Sequence, residues 1–153
     1  MLALAMVTVQ LLVVQELRQV DTAGLEATFH TKETATLRST HGNYDYYERL
    51  LRRSFDRSQP VAVLVLNGEV QQVIRADRDR VHGLVDRGQS RVDVWFTGHD
   101  GIYHFDRSDP QTKRIYDTLM KCRRTENWVW FVARSPELVI VDVATEDELP
   151  RRR

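Results

Sequence analysis

The residues with the most chemical potential are two histidines and their neighbours. His99-Asp100-Gly101 is followed by His104 and Asp106, and neutral imidazole with carboxylate suits zinc or another divalent ion. Strand alternation turns His99 and His104 to opposite faces, and Asp-Gly is an ordinary turn signal. The cluster is therefore expected to be structural, with no metal and no cofactor. His30 stands near the tip of an earlier hairpin in a comparable place. A second group is aromatic and basic: Trp95, Tyr103, Trp128 and Trp130 fall in strand-like runs, with Arg107, Arg124 and Arg134 nearby in sequence. Such side chains stack bases and hold phosphates, and they equally describe a sheet core with arginines snorkelling at its rim. A third group, Arg49, Arg52, Arg53 and Arg57, reads as a solvated helix face able to dock an acidic partner.

Other chemistry has little to work with. Neither Ser nor Cys sits in a nucleophile-elbow setting, and there is no Gly-rich phosphate loop. Cys122 is the one cysteine, so no intrachain disulfide can form. Beside an apolar helix stripe it reads as a small core residue in a reducing cytoplasm. The 22 acidic and 22 basic residues cancel, leaving no net field toward nucleic acid or an anionic membrane. The apolar N-terminal stretch lacks a basic leader and a cleavage site, and is shorter than the roughly 20 residues of a membrane span. It is expected to join the fold.

The elements that must position these residues are mostly hairpins. Residues 61–66 are apolar and mostly branched and meet Asn67-Gly68, a pair suited to a type I′ turn, before a second strand-like run to 74. Residues 25–29 and 34–38, 92–96 and 102–105, and 128–133 and 138–143 form three further hairpins. A helix follows Asn43 with Tyr47, Leu50, Leu51 and Phe55 on one stripe, and Asp45–Arg49 and Glu48–Arg52 as surface ion pairs. A second helix follows Asp109-Pro110, with Ile115, Tyr116, Leu119 and Met120 as its stripe. Residues 77–91 read as a connecting helix and loop, capped by Asp77, striped by Val81, Leu84 and Val85, and stopped at Gly88. Residues 7–14 read as a strand followed by a helical turn, and 145–153 as a frayed tail.

Sliding the sequence by 69 positions aligns Thr28 with Thr97, His30 with His99, Tyr47 with Tyr116 and Leu50 with Leu119 without a gap. The expected fold is α+β: one domain, 1–153, of duplicated ββαββ halves, 25–76 and 92–144, whose antiparallel sheets pack as a two-sheet or barrel-like core. Runs 61–66 and 128–132 are apolar on both faces and must be covered on both, by a second sheet, the N-terminal segment or another subunit, which points to a homodimer. His82 to Gly88 resembles the acidic helix-ending motif of homing endonucleases, which repeat an αββαββ unit. It lacks one residue of that motif before Gly88, and those DNA-cutting enzymes are basic where this chain is neutral. The expected function is a non-enzymatic, cytoplasmic protein-interaction or assembly and regulatory module that forms a homo-oligomer. Nucleic-acid binding through Arg and sheet aromatics is the alternative, and a hydrolase or nuclease with a His/Asp site the second.

Overall fold

The computed structural model describes residues 8–151, and the chain is mixed α+β, with two sheets and two α-helices among them. It divides into two compact units, one ending at Arg75 and the other Ala76–Leu149. The expected strand start at Val7 and the last two residues of the expected tail, Arg152 and Arg153, lie outside the described residues.

The first unit runs β1 (Gln10–Leu12), β2 (Val14–Val20), β3 (Gly24–Phe29), β4 (Thr34–Arg38), α1 (Tyr44–Arg57), β5 (Val61–Leu66) and β6 (Glu69–Arg75). Its sheet has the order β1-β5-β6-β4-β3-β2. β1 and β2 are separated by Val13 alone, so both edges of the sheet belong to one bent path. His30 sits at the break: its Nδ1 accepts from the Val13 N–H at 3.0 Å, and its own N–H donates to the Val13 carbonyl at 2.9 Å. Residues 14–20 are strand throughout, not a helical turn. Asn67 and Gly68 turn the β5–β6 hairpin with φ of 52° and 73°, the left-handed values that type I′ demands.

On α1 the buried face is Tyr47, Leu51 and Ser54. Phe55, placed on that stripe by the sequence, is 43% exposed. The hydroxyl of buried Ser54 instead receives the Val14 N–H at 3.0 Å and donates to the Gln59 carbonyl at 2.6 Å, fastening helix to sheet. Asn43 occupies the N-cap position without capping through its side chain. The start of the helix is held by His41, whose Nδ1 accepts from the Asn43 N–H and whose carbonyl accepts from Tyr44, both at 3.0 Å.

The second unit runs β7 (Asp77–Asp86), β8 (Arg91–Phe96), β9 (His99–Asp106), α2 (Lys113–Thr125), β10 (Trp128–Arg134) and β11 (Val139–Thr145), closed as a barrel in the order β10-β11-β9-β8-β7. The first strand corrects the sequence reading: 77–86 is a strand, not a connecting helix. Asp79 and Val81 are buried while Arg78 and Arg80 face solvent, the period of two expected of a strand. Pairing with β8 then shifts between Val81 and Gly83. This β-bulge at His82 adds one residue, so Leu84 packs into the same core as Val81. A bulge thereby imitates the three-residue spacing of a helix. The same correction removes the endonuclease resemblance, since His82 to Asp86 is strand.

Asp109 accepts from the Gln111 N–H at 2.9 Å with Pro110 opening a 3₁₀ turn before α2, whose buried face is Ile115, Leu119 and Cys122. The expected frayed tail begins in order: Thr145 and Glu148 form a capping box around a 3₁₀ turn, Glu146–Glu148.

Pairing agrees between the units in detail. Val14 meets Phe29 and a shift follows before Glu16; Val81 meets Phe96 and a shift follows before Gly83. One parallel link joins β4 to β6 at Thr36–Glu69, and one joins β9 to β11 at His104–Val139. The helix faces match as Tyr47 with Ile115, Leu51 with Leu119 and Ser54 with Cys122. These matches replace the gap-free alignment, because the β5–β6 turn has two residues where the β10–β11 turn has four. The inner face of each central strand is buried, while on the outer face Ala62 and Val132 are buried and Leu66 and Trp128 are 44% and 38% exposed.

The corrected α1 stripe makes a direct prediction. In urea denaturation Leu51→Ala should cost about 2–5 kcal/mol, and Phe55→Ser well under half of that; equal losses would contradict the helix orientation.

Candidate functional site

The second barrel carries the polar chemistry. At the end where β7 begins and β8 turns into β9, Asp79 is 4% exposed. Its carboxylate accepts from the Arg80 and Gly98 N–H groups, both at 2.7 Å, and meets Nδ1 of His99 at 2.5 Å. A Cβ on Gly98 would stand 3.1 Å from Asp79 Oδ2, so glycine there permits the close approach. Burial pushes the Asp79 carboxyl upward, and the His99 ring with the two backbone donors outweighs it, leaving the group below the usual carboxylate range.

Beyond His99, Nε2 lies 3.9 Å from Asp77 Oδ1, and both side chains reach solvent. Their floor is aromatic. Phe96 and Phe131 stack with centroids 3.9 Å apart, His99 meets Phe131 edge-on at 5.3 Å, and Tyr103 meets both phenylalanines at 5.2 and 5.4 Å. Burial, then the charges of Asp77 and Asp79, push the Tyr103 phenol up, so it lies within the field of both carboxylates.

The partner of His99 is thus Asp79, not Asp100 or His104. Asp100 is exposed, and His104 sits half-buried on the outer barrel face opposite Asp93. Among the described residues no group of three or more His, Cys, Asp or Glu is placed to hold a metal ion. His30 serves the backbone of its own unit, and burial lowers its pKa against the opposing bond from Val13. Asp79 was passed over because residues 77–91 read as helix; the alternation Asp77-Arg78-Asp79-Arg80-Val81 was the available signal.

Three arginines lie over two tryptophans on the outside of this barrel. Trp128, 38% exposed, has the guanidinium carbons of Arg78 and Arg80 at 4.6 and 4.8 Å from its ring centroid, and Trp130 lies half-buried two residues on, paired with Arg78. Arg78 also pairs with Glu146. Beside Trp128 is a cleft of about 250 Å³ reaching Cys122, Asn127 and Asp147. Trp95 lies over Gly83, whose added Cβ would be 3.6 Å from the indole, with Arg87 5.6 Å from the ring centroid. In the first unit Arg49, Arg52 and Arg53 are exposed on α1; Arg49 lies 5.9 Å from the Tyr46 centroid and Arg52 pairs with Glu48 at 2.8 Å. Cys122 is buried, and burial pushes its thiol up, away from reactivity.

Comparison with protein-family models, with curated proteins and with solved structures finds no match to this chain. The helices among the described residues are not long and apolar enough to cross a membrane.

A depressed Asp79 pKa means that the folded state binds this proton less readily than the unfolded chain. Its contribution to stability is present above the unfolded value of about 3.9 and is lost as pH falls through the folded value. The stability gap between wild type and Asp79→Asn should therefore be largest near neutrality and shrink toward pH 3. A gap independent of pH in denaturant titrations would refute the assignment.

Proposed function

We propose that this protein is a non-enzymatic assembly module, built from two copies of one strand and helix order, a six-stranded sheet in the first unit and a closed barrel in the second, that self-associates through the Trp128 face of its second unit. The duplication is supported by the matched pairings, bulges, parallel links and helix faces of the two units. The self-association is carried by one observation: a large indole left 38% exposed between two arginines. Trp and Arg dominate binding hot spots, where a ring enters a desolvated pocket.

The face is also self-complementary. Arg78 is paired with Glu146 within the chain, and the face also presents Arg80 over the Trp128 ring and Asp147 in the adjoining cleft as unlike charges. A twofold contact sets such a patch against itself, basic side to acidic side. The adjoining cleft offers room for a partner side chain.

A second reading rests on topology. A five-stranded Greek-key barrel with its helix between the third and fourth strands resembles the OB-fold, which holds single strands of nucleic acid against strands 2 and 3. Here those are β8 and β9, bearing Trp95 and His104, with Arg87 in the turn that leads into β8. Residues 76–149 contain eleven Lys and Arg against fourteen Asp and Glu, a balance that repels polyanions and ranks this reading second.

Sedimentation equilibrium over a wide concentration range decides the first reading. Wild type should form dimers, and Trp128→Glu should weaken them by about thirtyfold or more. A wild type that stays monomeric, or a variant that dimerises unchanged, would defeat the proposal. Fluorescence titration with single-stranded oligonucleotides at low and high salt tests the second, where affinity should fall steeply with salt and with Trp95→Ala.

A further inference from the structure

The two units differ sharply at one place. Leu12 pairs with Val61 in the first, and Asp79 pairs with Val129 in the second, each two residues before the strand reaches its matched partner, Phe29 or Phe96. The first unit thus carries a buried aliphatic side chain at the like place, so this strand pairing does not require a carboxylate there. Burying one costs free energy that its hydrogen bonds must offset.

The buried carboxylate fixes which tautomer the neutral His99 ring adopts. An ionised Asp79 only accepts, so Nδ1 of His99 carries the hydrogen between them, and in the neutral ring Nε2 is left as an acceptor. That acceptor lies 3.9 Å from the carboxylate oxygen of Asp77, with His99 27% and Asp77 45% exposed. Two acceptors so placed do not bond to each other; they converge on a donor that both can share. A single ammonium nitrogen at about 2.8 Å from each fits between them. Phe96, Phe131 and Tyr103 are buried beneath the pair, the two phenylalanines back the His99 ring edge-on, and the acidic surplus of this unit favours a cation.

We propose that the end of the second barrel is a recognition site for a primary ammonium group, held between His99 Nε2 and the Asp77 carboxylate. The ammonium belongs to a lysine side chain or to a free alkyl amine. Asp79 and Gly98 act as positioning residues: they fix the imidazole and touch no ligand. This site is separate from the Trp128 face, and its test does not depend on self-association.

Imidazole ¹⁵N and carboxyl ¹³C NMR of the full chain, titrated with n-butylammonium and separately with a short peptide carrying one lysine, is the experiment. Saturable shifts are expected at His99 Nε2 and the Asp77 carboxyl, weakened about tenfold in Asp77→Asn and absent when the lysine is acetylated. Tighter binding of the peptide would assign the ammonium to a protein partner, and tighter binding of the free amine to a small molecule. Asp77 is half-exposed and amide replacement preserves its shape, so loss of fold, checked by circular dichroism, is not expected. No saturable shift with either probe, or equal binding by Asp77→Asn, would overturn the site.

Discussion

Each unit depends on one strand that serves as both edges of its sheet. In the second unit β7 pairs with β10 through residues 77–80 and with β8 through 81–86. In the first, β1 pairs with β5 and β2 with β3 on either side of Val13. A strand can face two neighbours in succession only if it bends, and a bulge supplies the bend together with the added twist. Exposed edges are where strands recruit other chains; among the described residues the closed barrel of the second unit leaves none. The remaining elements follow: the helix between third and fourth strands covers one flank, with Leu51 and Leu119, both 0% exposed, anchoring the two helices.

This closure also sets where polar groups can act. Inward positions of a small barrel are filled by side chains, and in the first unit they are apolar, with Phe29, Leu25 and Leu37 essentially inaccessible. In the second unit the same frame holds Asp79, satisfied by three donors. Its surroundings are electrostatically uneven: an ionised carboxylate is retained in a low-dielectric end of the barrel because peptide N–H groups and an imidazole replace the water it loses. Outside, arginines lie against Trp128, Trp95 and Tyr116, contacts worth about 0.5–1 kcal/mol each when exposed. Such contacts organise a surface more than they stabilise the fold.

Hairpins were legible wherever turn chemistry is local. Asn67-Gly68 needed only its own backbone preference, and the β10–β11 turn lies at the polar Arg134-Ser135-Pro136-Glu137 interruption between apolar runs. Asp109-Pro110 marked the second helix for the same reason. β7 was not legible, because the bulge at His82 places Val81 and Leu84 three apart and counterfeits a helical stripe; β2 repeats this with Val14 and Leu17, both in the first core. The helix stripes were misjudged by one position in places, since an apolar residue at the margin of a stripe, such as Phe55, is settled by what lies opposite it.

The amino-acid sequence by itself determined the alternation of strands and helices, the turns, the neutral charge and the buried fate of Cys122, all of which follow from local propensity and composition. Only the tertiary structure decided that His99 meets Asp79 rather than its sequence neighbours, that Leu12 and Asp79 occupy like places, and that Trp128 lies between two arginines. Those facts come from strand register between segments tens of residues apart. A slip of a single residue in that register would turn every one of these side chains to the other face of the sheet.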